Sequence, residues 1–219
     1  LYNAATVVLY DGSPDYPNPG RVWQLAERHG VNLLGLSPTF VRALMPLGIG
    51  WVESLNLSSL KAFASTGEPW NAEPWYWLCE KVGKKQLPIL NISGGTEVSG
   101  GIVGTTMLRP IAPITFNTAL PGMDADVFDQ DGRPVTGQVG ELVVKQPWVG
   151  MTRGFWKEPE RYEEAYWNRW QNVWVHGDAT LKDQDGFWVI QGRSDDTLNV
   201  AGKRTGPAEI ESVLIEHPG

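Results

Sequence analysis

The sequence predicts an α/β fold in which a parallel-sheet part is followed by a small β-rich part. Over the first half, short apolar runs alternate with helical patterns, which is the arrangement of βαβ units. From about residue 118 the pattern changes to alternation of apolar and polar residues, which is typical of half-buried antiparallel strands. Hydrophobic residues make up 42% of the 219 residues and charged residues 20%, so the chain is able to bury a sizeable core.

The elements of the first half follow from apolar spacing and from capping residues. Ser37 and Pro38 supply an N-cap followed by proline at the first helical position. Asn71 is the predicted cap of a later helix, which Gly83 ends. Strands are predicted at 5–10, 31–36, 60–65 and 87–92, and helices at 19–29, 38–47 and 72–82.

The second half is predicted to contain strands at 125–128, 139–144 and 186–190, with a last helix at 208–216. The tetrapeptide Asp-Gln-Asp-Gly occurs at 129–132 and again at 183–186, each time between strand-like runs. A calcium loop is the alternative to a tight turn, but the ligand spacing of an EF-hand is absent. We therefore predict two hairpin turns.

Composition excludes several classes of protein. A net charge of −7 offers no basic surface for nucleic acid, and no apolar run approaches the roughly 18 residues of a membrane span. The lone Cys79 forms no internal disulfide and no signal segment opens the chain, so a cytoplasmic location is expected. The chain begins at Leu1, not Met, and stops just after the last predicted helix, so we expect a fragment of a longer polypeptide.

Common catalytic signatures are missing from the sequence. There is no Gly-x-Ser-x-Gly elbow, His-Glu-x-x-His, Walker A or Gly-x-Gly-x-x-Gly motif, which disfavours hydrolase-triad and dinucleotide-binding functions. The sequence instead holds glycine-flanked polar clusters, each after a probable strand, where ligands gather on open α/β sheets.

The most informative cluster is the segment 92–97, Ile-Ser-Gly-Gly-Thr-Glu. Its two glycines let the backbone approach a ligand closely, while Thr96 offers a hydroxyl and Glu97 a metal-binding carboxylate. Such a loop is able to hold phosphate together with Mg²⁺. A simple turn with a solvated glutamate fits the spacing equally well.

Three further clusters each have a structural alternative. The segment 67–69, Gly-Glu-Pro, is either a ligand loop or a strand-to-helix connection. Asp178 is suited to accept from two ribose hydroxyls, and the neighbouring His176 is interpreted as a packing residue, not a base. Arg193 and Arg204 lie eleven residues apart around a glycine-bearing loop, either to contact phosphate or ribose or to pair locally.

Taken in order, these clusters resemble the adenylate-forming acyl-CoA synthetase family, and more closely its acetyl-CoA and acetoacetyl-CoA synthetase branch. The resemblance covers nearly the whole chain and rests on the order and spacing of its motifs. The motifs are Ser-Pro-Thr at 37–39, Arg-Ala-Leu-Met at 42–45, Gly-Glu-Pro at 67–69, Gly-Thr-Glu at 95–97, Gly-Glu-Leu at 140–142, Gly-Asp at 177–178, Gly-Arg-Ser-Asp-Asp at 192–196, Leu-Asn-Val at 198–200 and Ala-Glu-Ile-Glu-Ser at 208–212.

The resemblance implies a two-step reaction at one site. A carboxylic acid attacks the α-phosphate of ATP to give acyl-adenylate and pyrophosphate, and the thiol of CoA then takes the acyl group and releases AMP. ATP, CoA, a small carboxylic acid and Mg²⁺ are thus the expected partners. The family's phosphate loop would precede Leu1 and its catalytic lysine would follow Gly219, so the fragment alone is expected to be inactive.

The same resemblance assigns a role to each matching position. Gly67, Glu68 and Pro69 would border the adenine, and Asn91, Ile92 and Ser93 would line its other side. Thr96 would contact the α-phosphate, Glu97 would hold Mg²⁺, Asp178 with help from Arg193 would bind the ribose, and Arg204 would reach a phosphate. Thr66, Gly94 and Gly95 would line the acyl pocket, and Asp195 would be the hinge.

The resemblance also suggests a division of the chain. Residues 1–117 would form the α/β sheet subdomain, 118–192 a β-rich, distorted barrel-like subdomain, and 193–219 the hinge and the start of a small mobile α+β domain. In the acetyl-specific pattern a tryptophan closes the acyl pocket where this chain has Gly94, which predicts an acid larger than acetate. A nucleotide-binding or interaction module without catalysis, and an adenylation domain that loads a carrier protein, are the alternatives.

Overall fold

The computed structural model describes residues 3–196, 198–200, 203–205 and Leu214. The chain divides into two compact units, one of Leu1–Ser65 with Glu73–Ile89 and one of Thr66–Ala72 with Leu90–Gly219. Within the described ranges, no helix is both long enough and apolar enough to span a bilayer.

The first part of the chain has the predicted alternation of helices and strands. Its elements are α1 (Arg21–Arg28), β1 (Leu33–Gly35), α2 (Pro38–Leu44) continued by a 3₁₀ turn (Met45–Leu47), α3 (Gly50–Glu53), β2 (Ala62–Ser65) and α4 (Ala72–Trp77) continued by a π-helical turn (Leu78–Val82). Strands β1 and β2 are parallel, with Leu34 opposite Phe63. The predicted βαβ arrangement is therefore confirmed for this pair.

Capping and burial explain the helix that follows β1. The Ser37 hydroxyl accepts a hydrogen bond from the Phe40 N–H at 3.1 Å, as the predicted N-cap requires. Val41 and Leu44 of this helix are buried. Their spacing of three residues places both side chains on one face of the helix.

The predicted strand at 5–10 is wrong. These residues belong to no strand, and Val7, Val8 and Leu9 are exposed. A strand forms only when a neighbouring strand takes up its backbone N–H and C=O groups, and within the described part of the chain no strand pairs with this segment. Apolar composition alone therefore gave a false prediction here.

The predicted strand at 87–92 starts two residues later and extends further than expected. Strand β3 (Ile89–Gly95) is followed by a 3₁₀ turn (Thr96–Val98), then by β4 (Gly100–Gly104) and β5 (Thr118–Ala119). Strand β4 is antiparallel to both β3 and β5. Neither β4 nor β5 was predicted. Five of the positions paired between β3 and β4 are glycines, 94, 95, 100, 101 and 104, so the sequence shows no side-chain alternation there.

A second, four-stranded antiparallel sheet forms the rest of the described core. It consists of β6 (Ala125–Phe128), β7 (Val139–Val144), β8 (Trp174–Lys182) and β9 (Trp188–Arg193), in that order. Helix α5 (Pro159–Tyr166) precedes β8, and a hairpin of β10 (Leu198–Val200) and β11 (Lys203–Thr205) follows. Strand β8 and helix α5 were not predicted, and the predicted helix at 208–216 lies outside the described residues apart from Leu214.

The repeated Asp-Gln-Asp-Gly segments form turns, as predicted. Asp129 Oδ1 accepts hydrogen bonds from the backbone N–H groups of Asp131 and Arg133, both at 2.9 Å. Asp183 Oδ1 accepts from Asp185 at 3.0 Å and from Phe187 at 2.8 Å. Each first aspartate therefore holds its own turn closed, as a tight turn requires.

A buried ion pair on β7 gives a first testable prediction. Glu141 is fully buried, and its Oε2 accepts a hydrogen bond from Arg169 Nη1 at 2.5 Å. The Arg169 guanidinium also stacks 4.4 Å from the centroid of the Trp170 ring. Arg169→Leu removes the cation from a buried carboxylate, so we expect the free energy of unfolding to fall by about 3 kcal/mol in urea unfolding of the full-length protein.

Arg161 supplies the control for this prediction. It pairs with Glu158 at 2.8 Å, but both side chains are exposed. Arg161→Leu is therefore expected to leave the free energy of unfolding nearly unchanged. Equal losses in the two variants would show that burial of Glu141 does not set the strength of its ion pair.

Candidate functional site

The turn after β3 and the middle of β8 bring two of the predicted site carboxylates to one histidine. His176 Nδ1 lies 3.5 Å from Glu97 Oε1, and His176 Nε2 lies 3.7 Å from Asp178 Oδ2. The predicted metal-binding and ribose-binding carboxylates therefore flank the same imidazole ring. His176 is buried, as the packing interpretation expected, but its place between two site carboxylates was not predicted.

Strand pairing places the predicted arginine beside Asp178. Arg193 is opposite Asp178 in the β8–β9 register, and its Nη1 lies 3.2 Å from Asp178 Oδ1. The same Nη1 donates to the carbonyl of His176 at 3.1 Å. Gly177 has φ +84°, and a Cβ there would overlap the guanidinium, so only glycine fits between the two site residues.

Burial sets the protonation of this cluster. Desolvation lowers the pKa of His176, against the opposing effect of the Asp178 and Glu97 carboxylates. Desolvation raises the pKa of Asp178, against the opposing effect of His176 and the Arg193 guanidinium. A neutral imidazole donates from only one of its two nitrogens, so His176 serves at most one of its carboxylate neighbours as a donor at a time.

Tyr166 of α5 lies close enough to Glu97 and Arg193 for both charges to act on it, and sequence reasoning missed this residue. Its ring stacks on Trp174 with centroids 4.0 Å apart and planes only 8° from parallel. Burial and the negative charge of Glu97 raise the pKa of the Tyr166 phenol, while Arg193 lowers it. The phenol therefore stays protonated near neutral pH. The concentration of aromatic residues in α5 and at the start of β8 was the sequence signal that could have indicated this packing.

The glycines of the 94–97 segment make room for protein groups. A Cβ on Gly95 would overlap the carboxylate of Glu97, whose side chain folds back over this residue. The Glu97 carbonyl accepts a hydrogen bond from the Thr152 N–H at 2.7 Å, which fixes the turn, and the Thr96 side chain is exposed. Gly95 thus leaves room for the Glu97 carboxylate, a reason for glycine that the sequence interpretation did not include.

Gly94 faces the neighbouring strand. A Cβ at this position would overlap the Gly100 carbonyl oxygen and approach Gly101 Cα at 2.6 Å, next to a register shift between Ser93 and Gly94. The acyl-pocket assignments of Thr66, Gly94 and Gly95 stay predictions.

The crowding at Gly94 predicts a large cost for even one methyl group. We expect Gly94→Ala to lower the free energy of unfolding by about 3 kcal/mol, because backbone atoms of β4 would have to move. Gly35 in β1 is the matched control, since a Cβ there meets no atom within 4 Å. Thermal unfolding of both variants checks the difference, and a Gly94→Ala variant as stable as Gly35→Ala would contradict it.

The segment 66–72 is joined to β3 by a buried hydrogen bond. Trp70 Nε1 donates to Asn91 Oδ1 at 2.8 Å, and both side chains are buried. Thr66, Gly67 and Pro69 are exposed beside Trp70 in the sequence, and Ile92 keeps 42% of its surface exposed despite being apolar. Both predicted borders of the adenine are therefore tied together, through a tryptophan that sequence reasoning did not single out.

Two predicted residues lie in the less fully described part of the chain. Arg204 is in β11, opposite Asn199 in the hairpin, and its side chain lies outside the description. Asp195, the predicted hinge, is exposed, with its Oδ1 3.6 Å from Arg193 Nε. The assignments of both residues stay predictions.

The side chains around Glu97 are compatible with Mg²⁺ binding only if a phosphate supplies further ligands to the metal. Among the described residues, no group of three or more His, Cys, Asp or Glu side chains is placed to hold a metal ion. Mg²⁺ commonly takes one or two carboxylates and completes its shell with waters and substrate phosphates. A single partly exposed carboxylate such as Glu97 fits that mode of binding.

Curated relatives match the chain from end to end. The acetyl-coenzyme A synthetase of Rubrobacter xylanophilus is 41% identical over 223 residues, with 100% of this chain and 34% of the relative covered. The enzyme of the same name from Pyrobaculum aerophilum is 40% identical over 222 residues, with 100% and 33% covered. The chain thus spans about a third of the length of these relatives.

Solved structures and a family comparison agree with this similarity. Acetoacetyl-CoA synthetase from Streptomyces lividans matches with a TM-score of 0.87 and 35% identity, covering 95% of this chain and 33% of that one. The anthranilate CoA ligase AuaEII, solved with anthranoyl-AMP, matches with a TM-score of 0.83 and 26% identity, covering 99% and 40%. The AMP-binding enzyme family matches residues 1–156. The chain belongs to the AMP-binding enzyme family.

Proposed function

We propose that the protein containing this chain is an AMP-forming acyl-CoA synthetase. It would activate a carboxylic acid with ATP to give acyl-adenylate and pyrophosphate, and then transfer the acyl group to the thiol of CoA with release of AMP. The observation that carries the proposal is the convergence of Glu97 and Asp178 on His176. If both carboxylates bind the same nucleotide, the one that holds its metal ion and the one that accepts from its ribose have to lie this close together.

In this proposal the ribose lies at β8. The Asp178 carboxylate accepts hydrogen bonds from the two ribose hydroxyls, since it has acceptors and no donor when ionised. Arg193 holds Asp178 in place through the 3.2 Å contact and is itself fixed by the His176 carbonyl. Arg193 offsets only part of the energetic cost of burying Asp178, whose pKa stays raised by desolvation.

The adenine would lie between two surfaces. Gly67, Glu68 and Pro69 form one border and Asn91, Ile92 and Ser93 form the other, tied to each other by the hydrogen bond from Trp70 to Asn91. The exposed apolar face of Ile92 suits the flat, apolar face of a base.

The phosphates would lie at the turn after β3. The Thr96 hydroxyl contacts the α-phosphate, where negative charge increases as the acid attacks and pyrophosphate leaves. Glu97 would hold Mg²⁺, which when bound neutralises phosphate charge. Arg204 would bring a cation to a phosphate from the hairpin region.

The acid is proposed to be small to medium in size and larger than acetate. Gly94 stands where the acetyl-specific pattern has a tryptophan, so no indole fills that part of the pocket. The relatives named above act on acetate, acetoacetate or anthranilate by their names, a range that agrees with a variable acyl pocket on a common nucleotide site. We also propose that residues 193–219 open a mobile domain that turns at Asp195, and that the enzyme works in the cytoplasm.

The proposed function is tested with the full-length protein. Pyrophosphate exchange into ATP is expected only when a suitable carboxylic acid is present, and a panel from acetate to medium-chain and aromatic acids identifies the substrate. Acyl transfer to CoA, compared with transfer to a phosphopantetheinyl carrier protein, identifies the thiol. Absence of exchange with every acid would favour a module without catalysis, and exchange with acetate alone would contradict the argument from Gly94.

A further inference from the structure

The turn that carries Glu97 is held in place by the segment that leads into α5. The Thr152 N–H donates a hydrogen bond to the Glu97 carbonyl at 2.7 Å. Val98, the next residue of the turn, is fully buried in the core of the second sheet. A Cβ on Gly150 would lie 2.6 Å from the Val98 carbonyl oxygen, so the two backbones pack directly against each other. The position of Glu97 therefore depends on where the segment 150–152 lies.

Tyr162 of α5 holds this segment from its other side. The Tyr162 hydroxyl donates a hydrogen bond to the Thr152 carbonyl at 2.8 Å, and the residue is only 8% exposed. The N–H and the C=O of Thr152 are thus both used, the first on the Glu97 turn and the second on α5. Only the backbone of Thr152 separates the Tyr162 hydroxyl from the backbone of Glu97.

The ring of Tyr162 is fixed independently of its hydroxyl. It contacts Phe155 edge to face with centroids 5.7 Å apart, and it contacts Tyr166 edge to face at 5.8 Å. It also belongs to the same buried cluster as Val98. Because these ring contacts do not use the hydroxyl, Tyr162→Phe is expected to fold and to lose only the hydrogen bond to Thr152.

We propose that Tyr162 is a positioning residue for Glu97, which it keeps in place through the backbone of Thr152. This inference rests on the proposed function, which assigns the metal to Glu97. Mg²⁺ that is bound through one or two carboxylates has few protein ligands, so the residues that support such a carboxylate affect how well the metal is held. Tyr162 itself contacts neither the nucleotide nor the metal in this proposal.

The test is the affinity of the full-length enzyme for ATP with Mg²⁺ and for AMP without metal, measured by calorimetry in the absence of a carboxylic acid. Tyr162→Phe removes the donor, so we expect Mg·ATP to bind about five-fold more weakly and AMP to bind as it does to the wild type. Glu97→Gln is expected to weaken the binding of Mg·ATP about ten-fold. In the double variant, Tyr162→Phe is expected to add no further loss, because it acts through Glu97.

Thr105→Val is the matched control. The Thr105 hydroxyl also donates to a backbone carbonyl, that of Thr115 at 3.1 Å, and the residue is 6% exposed. Valine keeps the shape of the side chain and removes the donor, so this variant loses the same kind of hydrogen bond and is expected to keep its affinity for Mg·ATP. Hydrogen exchange needs no ligand, and the Thr152 amide is expected to exchange faster in Tyr162→Phe but not in Thr105→Val.

The outcomes separate this inference from the proposed function. A Tyr162→Phe variant that binds Mg·ATP normally, while Glu97→Gln does not, would overturn the inference and keep the proposed function. Equal losses of affinity for Mg·ATP and AMP in Tyr162→Phe would also overturn the inference, because they would indicate a general structural effect. Normal binding of Mg·ATP by Glu97→Gln would overturn the inference together with the assignment of the metal to Glu97, and a wild-type protein that binds no ATP would overturn both the inference and the proposed function.

Should Tyr162→Phe fail to fold, the connection can be broken one step closer to Glu97. Replacing Thr152 by its α-hydroxy acid puts an ester oxygen where the backbone N–H donates to the Glu97 carbonyl. This change is expected to weaken the binding of Mg·ATP about five-fold and to leave the affinity for AMP unchanged. Unchanged affinity for Mg·ATP in the ester variant would overturn the inference.

Discussion

Asp178→Asn is expected to weaken the binding of both ATP and AMP by about 50-fold, since an amide replaces a charged acceptor of ribose hydroxyls. The measurement is calorimetry with the full-length enzyme. Both nucleotides are affected equally because they share the ribose. Asp185→Asn, at an exposed turn position, is the control and is expected to leave both affinities unchanged.

The stability of the same variant separates a binding role from a structural one. Burial raises the pKa of Asp178 in the folded protein, so the ionised form is disfavoured there relative to the unfolded chain. An acid with a raised folded pKa reduces stability as the pH rises through that pKa, and this cost is present at neutral pH. Asp178→Asn is therefore expected to keep or raise the melting temperature, and a large fall in Tm together with the binding loss would indicate a structural role.

Glu97→Gln is expected to lower the rate of acid-dependent pyrophosphate exchange by about 100-fold or more, because the group proposed to hold Mg²⁺ near the phosphates loses its charge. The affinity of Glu97→Gln for AMP, measured without metal, is expected to stay within about two-fold of the wild-type value, because at most a weak contact is lost. Glu97 is thereby distinguished from Asp178, whose replacement weakens AMP and ATP alike.

Two comparisons make the Glu97 result decisive. Glu160→Gln changes an exposed glutamate at the start of α5 and is expected to leave exchange unchanged. Raising Mg²⁺ is expected to recover part of the lost rate in Glu97→Gln, since a weakened metal site fills at higher concentration. Normal exchange in Glu97→Gln would remove this residue from the proposed phosphate site.

The parts of the fold that sequence predicts well are those with local signals. The helix at Pro38–Leu44 has its serine cap and its proline, and the two Asp-Gln-Asp-Gly turns have aspartates that bond their own backbone. In each case the residues that specify the element lie within a few positions of one another. Such elements can therefore be predicted from a short stretch of sequence, without knowledge of the rest of the chain.

The missed elements depend on pairing between distant residues. Strand β4 consists mainly of glycine and becomes a strand by pairing with β3, whereas the apolar segment 5–10 has strand composition and no partner among the described residues. Strand β8 carries Asp178 but contains Gly177 and a register shift, which interrupt its alternation. The resemblance predicts Glu97 and Asp178 as site carboxylates. That His176 lies between them depends on the tertiary packing of the turn after β3 against β8, which no local signal in the sequence indicates.

A crystal structure of the full-length enzyme with AMP would show where the nucleotide binds. We expect one nucleotide whose ribose hydroxyls lie about 3 Å from the Asp178 carboxylate and whose phosphate lies at the Thr96–Glu97 turn. A nucleotide bound elsewhere on the protein, or one that reaches Asp178 but directs its phosphate away from Glu97, would contradict it.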